Sequence, residues 1–172
     1  MALTPSTMLA LGTKAPTFRL VNTVNGEQVS VDDCVGPRGL LVMFICNHCP
    51  YVIHLKEAMT ELAQEAQQRG FGVVAINSND VSNPKYADDR PELMKKDAEH
   101  FGYTFPYCFD EDQSVAQAYR AACTPDFFLF DAQRSLAYRG RFDGSRPGND
   151  EPITGQDLRD ALQAVERGEA VS

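Results

Sequence analysis

Gly39-Leu40-Leu41-Val42-Met43-Phe44-Ile45-Cys46-Asn47-His48-Cys49-Pro50-Tyr51-Val52 is the stretch on which the fold turns. From Gly39 to Ile45 the run is short and continuously apolar, the pattern of a strand buried on both faces of a sheet. After Pro50 the period changes. Val52, Leu55, Met59, Leu62 and Ala66 recur at helical spacing, while Lys56, Glu57, Glu61 and Glu65 fall elsewhere, which predicts an amphipathic helix. Proline suits the first helical position, where its missing N–H would be unpaired anyway, so Pro50 opens this helix and Cys49 is its N-cap. Unpaired N–H groups at a helix N-terminus favour negative charge, and the thiolate is the reactive form of cysteine. His48 adds to that field if protonated. The competing reading makes Cys49 an inert apolar residue at a strand end, a role that needs no turn opened by proline.

Outward from this turn, Phe71 to Asn77 is a second continuous apolar run, reached through Gly70, which ends the helix. Strand, helix, strand predicts a parallel, right-handed crossover. Toward the N-terminus, Ala15 to Leu20 alternates, Asn25-Gly26 marks a hairpin turn, and Val29-Ser30-Val31 alternates again, giving an N-terminal β extension. Residues 78–90 read as a loop. Pro91 opens a helix through His100 that Gly102 closes, Pro106 to Phe109 is a short strand, and Gln113 to Ala121 is a helix led by Asp110-Glu111-Asp112. Asp126 to Phe130 and Ser135 to Arg139 make a hairpin. Residues 140–152 read as a long solvated loop, and Arg139 and Arg141 around Gly140, with Arg146 in the loop, read as a mixed-charge surface with Asp143, Asp150 and Glu151. A last helix is expected from Thr154, with Thr154 and Asp157 as a variant capping box, to Gly168.

With 172 residues and 43% hydrophobic content, the chain can build one core, so a single domain over 1–172 is expected, led by a flexible stretch over 1–11. A net charge of −8 without a basic stripe argues against nucleic acid and anionic membranes as partners. No apolar segment is long enough to predict a membrane span. The stretch before Gly12 carries no cation ahead of its weakly apolar Met8 to Leu11, unlike a secretory leader, and the expected location is cytoplasmic. Five cysteines (Cys34, Cys46, Cys49, Cys108 and Cys123) are an odd number in a chain that needs no staples. Redox or metal roles fit them better than a disulfide framework. Cys34 and Cys108 are expected to be buried or incidental.

The element order, with a cysteine at the first strand-to-helix turn and Thr124-Pro125 just before the hairpin, resembles the thioredoxin fold. That is an α/β domain with a central mixed sheet flanked by helices. Gly12-Thr13-Lys14-Ala15-Pro16-Thr17-Phe18-Arg19-Leu20 is similar to the opening signature of the peroxiredoxin-like branch (alkyl hydroperoxide reductase / thiol-specific antioxidant). Asn47-His48-Cys49-Pro50-Tyr51-Val52 resembles the active-site turn of its thioredoxin-like members, and of bacterial thiol–disulfide oxidoreductases of the cytochrome-c-maturation type. The resemblance implies Cys49 as nucleophile, with Asn47, His48, Thr124 and Pro125 contacting substrate. It also implies a cis Pro125, whose preceding residue bonds an extended disulfide substrate. An ordinary trans proline leading into a strand is the alternative.

The departures from the resemblance matter as much. Val52 stands where thioredoxin carries its second cysteine, and Met43 stands where it carries a buried carboxylate. Cys46 stands where true peroxiredoxins carry a Thr or Ser whose side chain reaches the reactive sulfur, so a thiol there is placed to resolve a disulfide formed on Cys49. Cys123 is the competing resolver, near the site by topology, although strand alternation turns Thr124 toward it instead.

The resemblance implies a thiol–disulfide oxidoreductase acting on protein or small-molecule disulfides. A thiol reductant such as a thioredoxin or glutathione system would recharge it, and no dissociable cofactor is needed because the electrons reside in the cysteines. A thiol-dependent peroxidase working through a sulfenic acid on Cys49 is one alternative. A copper- or zinc-binding metallochaperone using Cys46, His48 and Cys49, with His54 and His100 as remaining donors, is another.

Overall fold

In the computed structural model, residues 9–121 and 124–171 are described, so residues 1–8 of the expected flexible lead lie outside the described residues. The order is β1 (Arg19–Asn22), β2 (Gln28–Ser30), α1 (Val31–Cys34), β3 (Gly39–Phe44) and α2 (Pro50–Gln68). Then come β4 (Phe71–Asn77), a 3-10 turn (Pro84–Asp89), α3 (Pro91–Phe101), β5 (Tyr107–Phe109), α4 (Ser114–Tyr119), β6 (Asp126–Phe130), β7 (Leu136–Gly140) and α5 (Gln156–Glu166).

The two continuous apolar runs pair as predicted. β3 and β4 lie parallel in one register from Gly39 opposite Phe71 to Phe44 opposite Ile76, with α2 as the crossover between them. β5 extends the parallel set, while β6 and β7 run antiparallel beyond β3. Among the described residues the sheet order is β2-β1-β5-β4-β3-β6-β7, which puts β3 near the centre and the N-terminal β extension at one edge. The Asn25-Gly26 turn joins β1 to β2, with Gly26 at φ 78°, a conformation glycine adopts without strain.

Strand alternation divides the interior into two layers. Leu41, Met43 and Ile45 face α2, α3 and α5, packing with Val52, Met59, Leu62, Met94 and Leu158. Leu40, Val42 and Phe44 face α1 and α4 on the other side, packing with Val31, Val115 and Tyr119. A side chain that ends β3 therefore emerges between the two layers, at the C-terminal end of the parallel strands. No described helix is long and apolar enough to cross a membrane.

Four expectations need correction. Lys56 lies inside the apolar face of α2 and is 3% exposed. Residues 140–152 are only partly solvated, because Phe142, Asp143 and Ser145 are buried. Asp143 accepts the N–H groups of Thr154 and Gly155, each at 2.7 Å, which caps the approach to α5. The Thr154–Asp157 capping box therefore does not form. α5 starts at Gln156, its N-cap is Gly155 in the left-handed region, and Asp157 pairs with Arg141 at 2.5 Å instead. Arg139, expected at a mixed-charge surface, is buried against Asp126 at 3.2 Å and lies over the Phe128 ring.

Candidate active site

β3 ends at Phe44, and Ile45-Cys46-Asn47-His48 carries the chain into α2. Pro50 is the first helical residue and Cys49 is the N-cap, with φ −63°, ψ 126° and no capping bond from its side chain. The sulfur is thus left for chemistry at the positive end of a 19-residue helix.

Cys46 lies directly beneath it. The Cys49 N–H donates to Cys46 Sγ at 3.3 Å, Cys46 Sγ is 3.4 Å from Thr124 Oγ1, and the Cys49 thiol donates to the Thr124 carbonyl at 3.6 Å. Both sulfurs thus meet one residue. The Thr124-Pro125 bond is cis, as the resemblance implies. Burial pushes the Cys46 thiol up to about 11; the Thr124 hydroxyl partly offsets this, and the Asp89 charge adds to it. At neutral pH Cys46 therefore keeps its proton.

The turn is seated on a carboxylate that sequence reasoning misses. Asp89, 0% exposed, accepts the Asn47 N–H at 2.7 Å and Asn77 Nδ2 at 3.1 Å on Oδ1, and Asn79 Nδ2 at 2.9 Å on Oδ2. His48 Nδ1 lies 2.7 Å from Oδ2, off the angle of a hydrogen bond. The 3-10 turn delivers this residue: Asn83 caps it by accepting the Lys85 N–H at 3.0 Å, and Pro84 opens it. Asp88-Asp89 in a polar segment gives a sequence reader no sign of burial.

Asn47 completes the seat. Its carbonyl accepts from Lys56 Nζ at 2.9 Å, its Oδ1 from the Tyr107 hydroxyl at 2.8 Å, and its Nδ2 donates to the Asp88 carbonyl at 2.8 Å. Lys56 is itself paired with Asp97 at 2.7 Å. Asn47 therefore points into the protein and fixes the turn, where the resemblance implies a substrate contact. The signal for Lys56 is its position four residues after Val52 and three before Met59, inside the apolar stripe.

Cys49 opens onto a cleft of about 650 Å³ that His48, Asn79, Lys85, Tyr86 and Thr124 also line. A smaller hollow of about 280 Å³ lies across Thr124-Pro125, with Tyr51, Phe142 and Arg146 in its wall. Of the sequence candidates, Cys46, Cys49, His48, Thr124 and Pro125 gather here, whereas Cys123 lies outside the described residues. Cys34 and Cys108 are buried in the layer on the other face of the sheet from Cys46; burial pushes Cys34 up to about 11 and Cys108 further still.

A metal does not fit these donors as they stand. One ligand atom each from Cys46, His48 and Asp89 lies within 4.8 Å of the others. Both Asp89 oxygens are already engaged by side-chain or backbone N–H groups, and Cys46 Sγ by the Cys49 N–H. His54 is 2.7 Å from Ser145 Oγ, and His100 packs edge-on against Phe101.

Residues 11–139 match the AhpC/TSA family. The chain belongs to this family. Its likeness extends to a crystal structure of an uncharacterized conserved protein from Geobacillus kaustophilus, at 47% identity and TM-score 0.92, over 96% of this chain and 86% of that one. The thiol-disulfide oxidoreductase ResA of Geobacillus kaustophilus (strain HTA426) is 30% identical over 128 residues, 74% of this chain and 67% of that protein. The thioredoxin domain of a thiol-disulfide oxidoreductase from Bacteroides vulgatus has the same fold, with TM-score 0.63 at 19% identity over 77% of this chain and 89% of that one. Sheet order, cis proline and cysteine turn make this AhpC/TSA member a thioredoxin-fold protein of the peroxiredoxin-like branch.

Proposed function

We propose that the protein is a thiol–disulfide oxidoreductase in which Cys49 attacks and Cys46 resolves. The observation that carries this reading is the contact of both sulfurs with Thr124, together with the Cys49 N–H resting on Cys46 Sγ. The family and the name of the ResA relative support the same class of chemistry.

The Cys49 thiolate attacks one sulfur of a substrate disulfide, forms a mixed disulfide and expels the first substrate thiolate. Cys46 then gives up its proton and attacks Cys49. A Cys46–Cys49 disulfide forms, the mixed disulfide breaks, and the second substrate thiolate leaves. Two electrons have passed to the substrate, and an external thiol reductant returns the pair to two thiols. The cis Thr124-Pro125 corner between the two hollows offers an edge along which an extended disulfide segment docks.

A hydroperoxide would meet the same thiolate, giving an alcohol and a sulfenic acid on Cys49 that Cys46 condenses to a disulfide with loss of water. Among the described residues the cation that lines the cleft is Lys85, lying over the Tyr86 ring, and no arginine lines it to clamp the peroxide oxygens with a planar fork. Hydroperoxides are therefore secondary substrates.

Disulfide reduction measured with insulin as substrate and dithiothreitol as reductant tests this reading. Cys49→Ser should lose activity at least about 100-fold, since the nucleophile is gone. Cys46→Ser should accumulate a Cys49 mixed disulfide. Wild-type turnover in Cys49→Ser would overturn the reading.

A further inference from the structure

Cys46 must lose a proton in a place built to keep it. Cys46 is 1% exposed, and the nearby carboxylate charge opposes a thiolate. Bulk hydroxide cannot reach such a group easily, so resolution needs an acceptor inside the turn. Two groups are within reach, because one ligand atom from each of His48 and Asp89 lies within 4.8 Å of Cys46 Sγ. One intervening water spans that separation.

Other titratable groups packed around the turn are already committed. From α2 and α3, Lys56 and Asp97 are paired with each other at 2.7 Å. The Tyr107 hydroxyl of β5 donates to Asn47 Oδ1, and the Tyr103 hydroxyl to Asp97 at 3.5 Å. Burial pushes both phenols up, so neither is a base near neutrality. Lys85 of the 3-10 turn lies over the Tyr86 ring, which in turn stands 6.1 Å from the His48 ring.

Asp89 is different. A carboxylate with no exposure is costly to bury unless it is paired. Its three hydrogen bonds come from amide N–H groups, and among the described residues the imidazole beside it is that of His48, whose Nδ1 lies 2.7 Å from Oδ2, so the carboxylate is placed to offset a charge that forms on that ring. His48 is the one member of the set that reaches both solvent and the interior: its side chain is 33% exposed in the Cys49 cleft while Nδ1 lies against Asp89.

We propose that His48, oriented by Asp89, is the proton carrier of the resolving step, taking the Cys46 proton as that sulfur attacks the Cys49 mixed disulfide. The step balances within the site. The Cys46 S–H bond breaks and its proton passes to the imidazole, the Cys46–Cys49 bond forms, and the Cys49–substrate bond breaks. The departing substrate thiolate then takes the proton from the imidazolium and leaves as a thiol. Asp89 offsets the imidazolium charge while it lasts. It is a positioning residue acting through His48. The proposal rests on the Cys49–Cys46 reading above.

The test follows the two thiolates released from 5,5′-dithiobis(2-nitrobenzoate), one when Cys49 attacks and one when Cys46 resolves. In His48→Gln and in Asp89→Asn, the ratio of second-phase to first-phase rate at pH 7 should fall by about 100-fold, the usual contribution of a positioned base. The deficit should narrow as pH rises toward about 11, where Cys46 ionises unaided. His48 is partly exposed, so its variant keeps the assay informative if Asp89→Asn does not fold. An unchanged ratio and pH profile in His48→Gln would overturn the proposal while leaving the Cys46 pairing intact. A wild type that releases only one thiolate would overturn that pairing, and the proton carrier with it.

Discussion

Cys46 is buried where a reactive thiol would ordinarily be exposed, and its pKa follows from that position. Cys34 and Cys46 are each raised from 9.0 to about 11, in both cases first by burial. Between these values the folded chain holds thiol protons that the unfolded chain has lost. Stability is therefore full below about pH 9 and falls as pH climbs toward about 11. Urea unfolding midpoints should drop between about pH 9 and about 11, and a Cys34→Ala, Cys46→Ala double variant should show a shallower fall. An equally steep fall in the double variant would contradict the shifts. At this scale Cys49 and its N-cap position are legible in sequence because local pattern decides them, whereas the cis Thr124-Pro125 bond follows only from the family resemblance. Asp89 is not, because its burial depends on amides from Asn47, Asn77 and Asn79, which only the tertiary fold brings together.

Among the elements, α2 does two jobs. Its apolar face fills one layer of the core, and Lys56 on that same face holds the turn above it by way of the Asn47 carbonyl and Asp97 of α3. Lys56→Met strands a largely buried carboxylate and should cost about 3 kcal/mol in denaturant unfolding, while Lys56→Met with Asp97→Leu should recover part of it. No recovery in the pair would show that Lys56 acts through the Asn47 carbonyl alone. Element existence is readable from periodicity, but the caps are divided. Ser30 and Asp33 form a capping box at α1 that sequence reading leaves unmarked, whereas Thr154 and Asp157 carry the pattern and form none. Asp143 reaches the same N–H groups from a distant turn and displaces the local cap. Ser30→Ala should remove about 1 kcal/mol, read by the same unfolding assay, and Thr154→Ala much less.

The molecule as a whole is one sheet with two layers, and its reactive turn stands where the central strand leaves both of them. Element order and the parallel β3–α2–β4 unit follow from the two apolar runs and the helix between them. The stretch 140–152 does not, since its composition is that of a surface loop although Phe142 packs on Phe127, 5.6 Å between ring centres, behind Thr124-Pro125. Phe142→Ala should therefore cost about 3–4 kcal/mol, as a core truncation does, rather than the few tenths of a surface change. Thermal unfolding of that variant distinguishes the two. The most direct test of the two-cysteine site is peptide mapping by mass spectrometry after the reduced protein reacts with one equivalent of disulfide. A Cys46–Cys49 bridge is predicted in the wild type and in Cys123→Ser. A Cys49–Cys123 bridge in the wild type that persists in Cys46→Ser would contradict it.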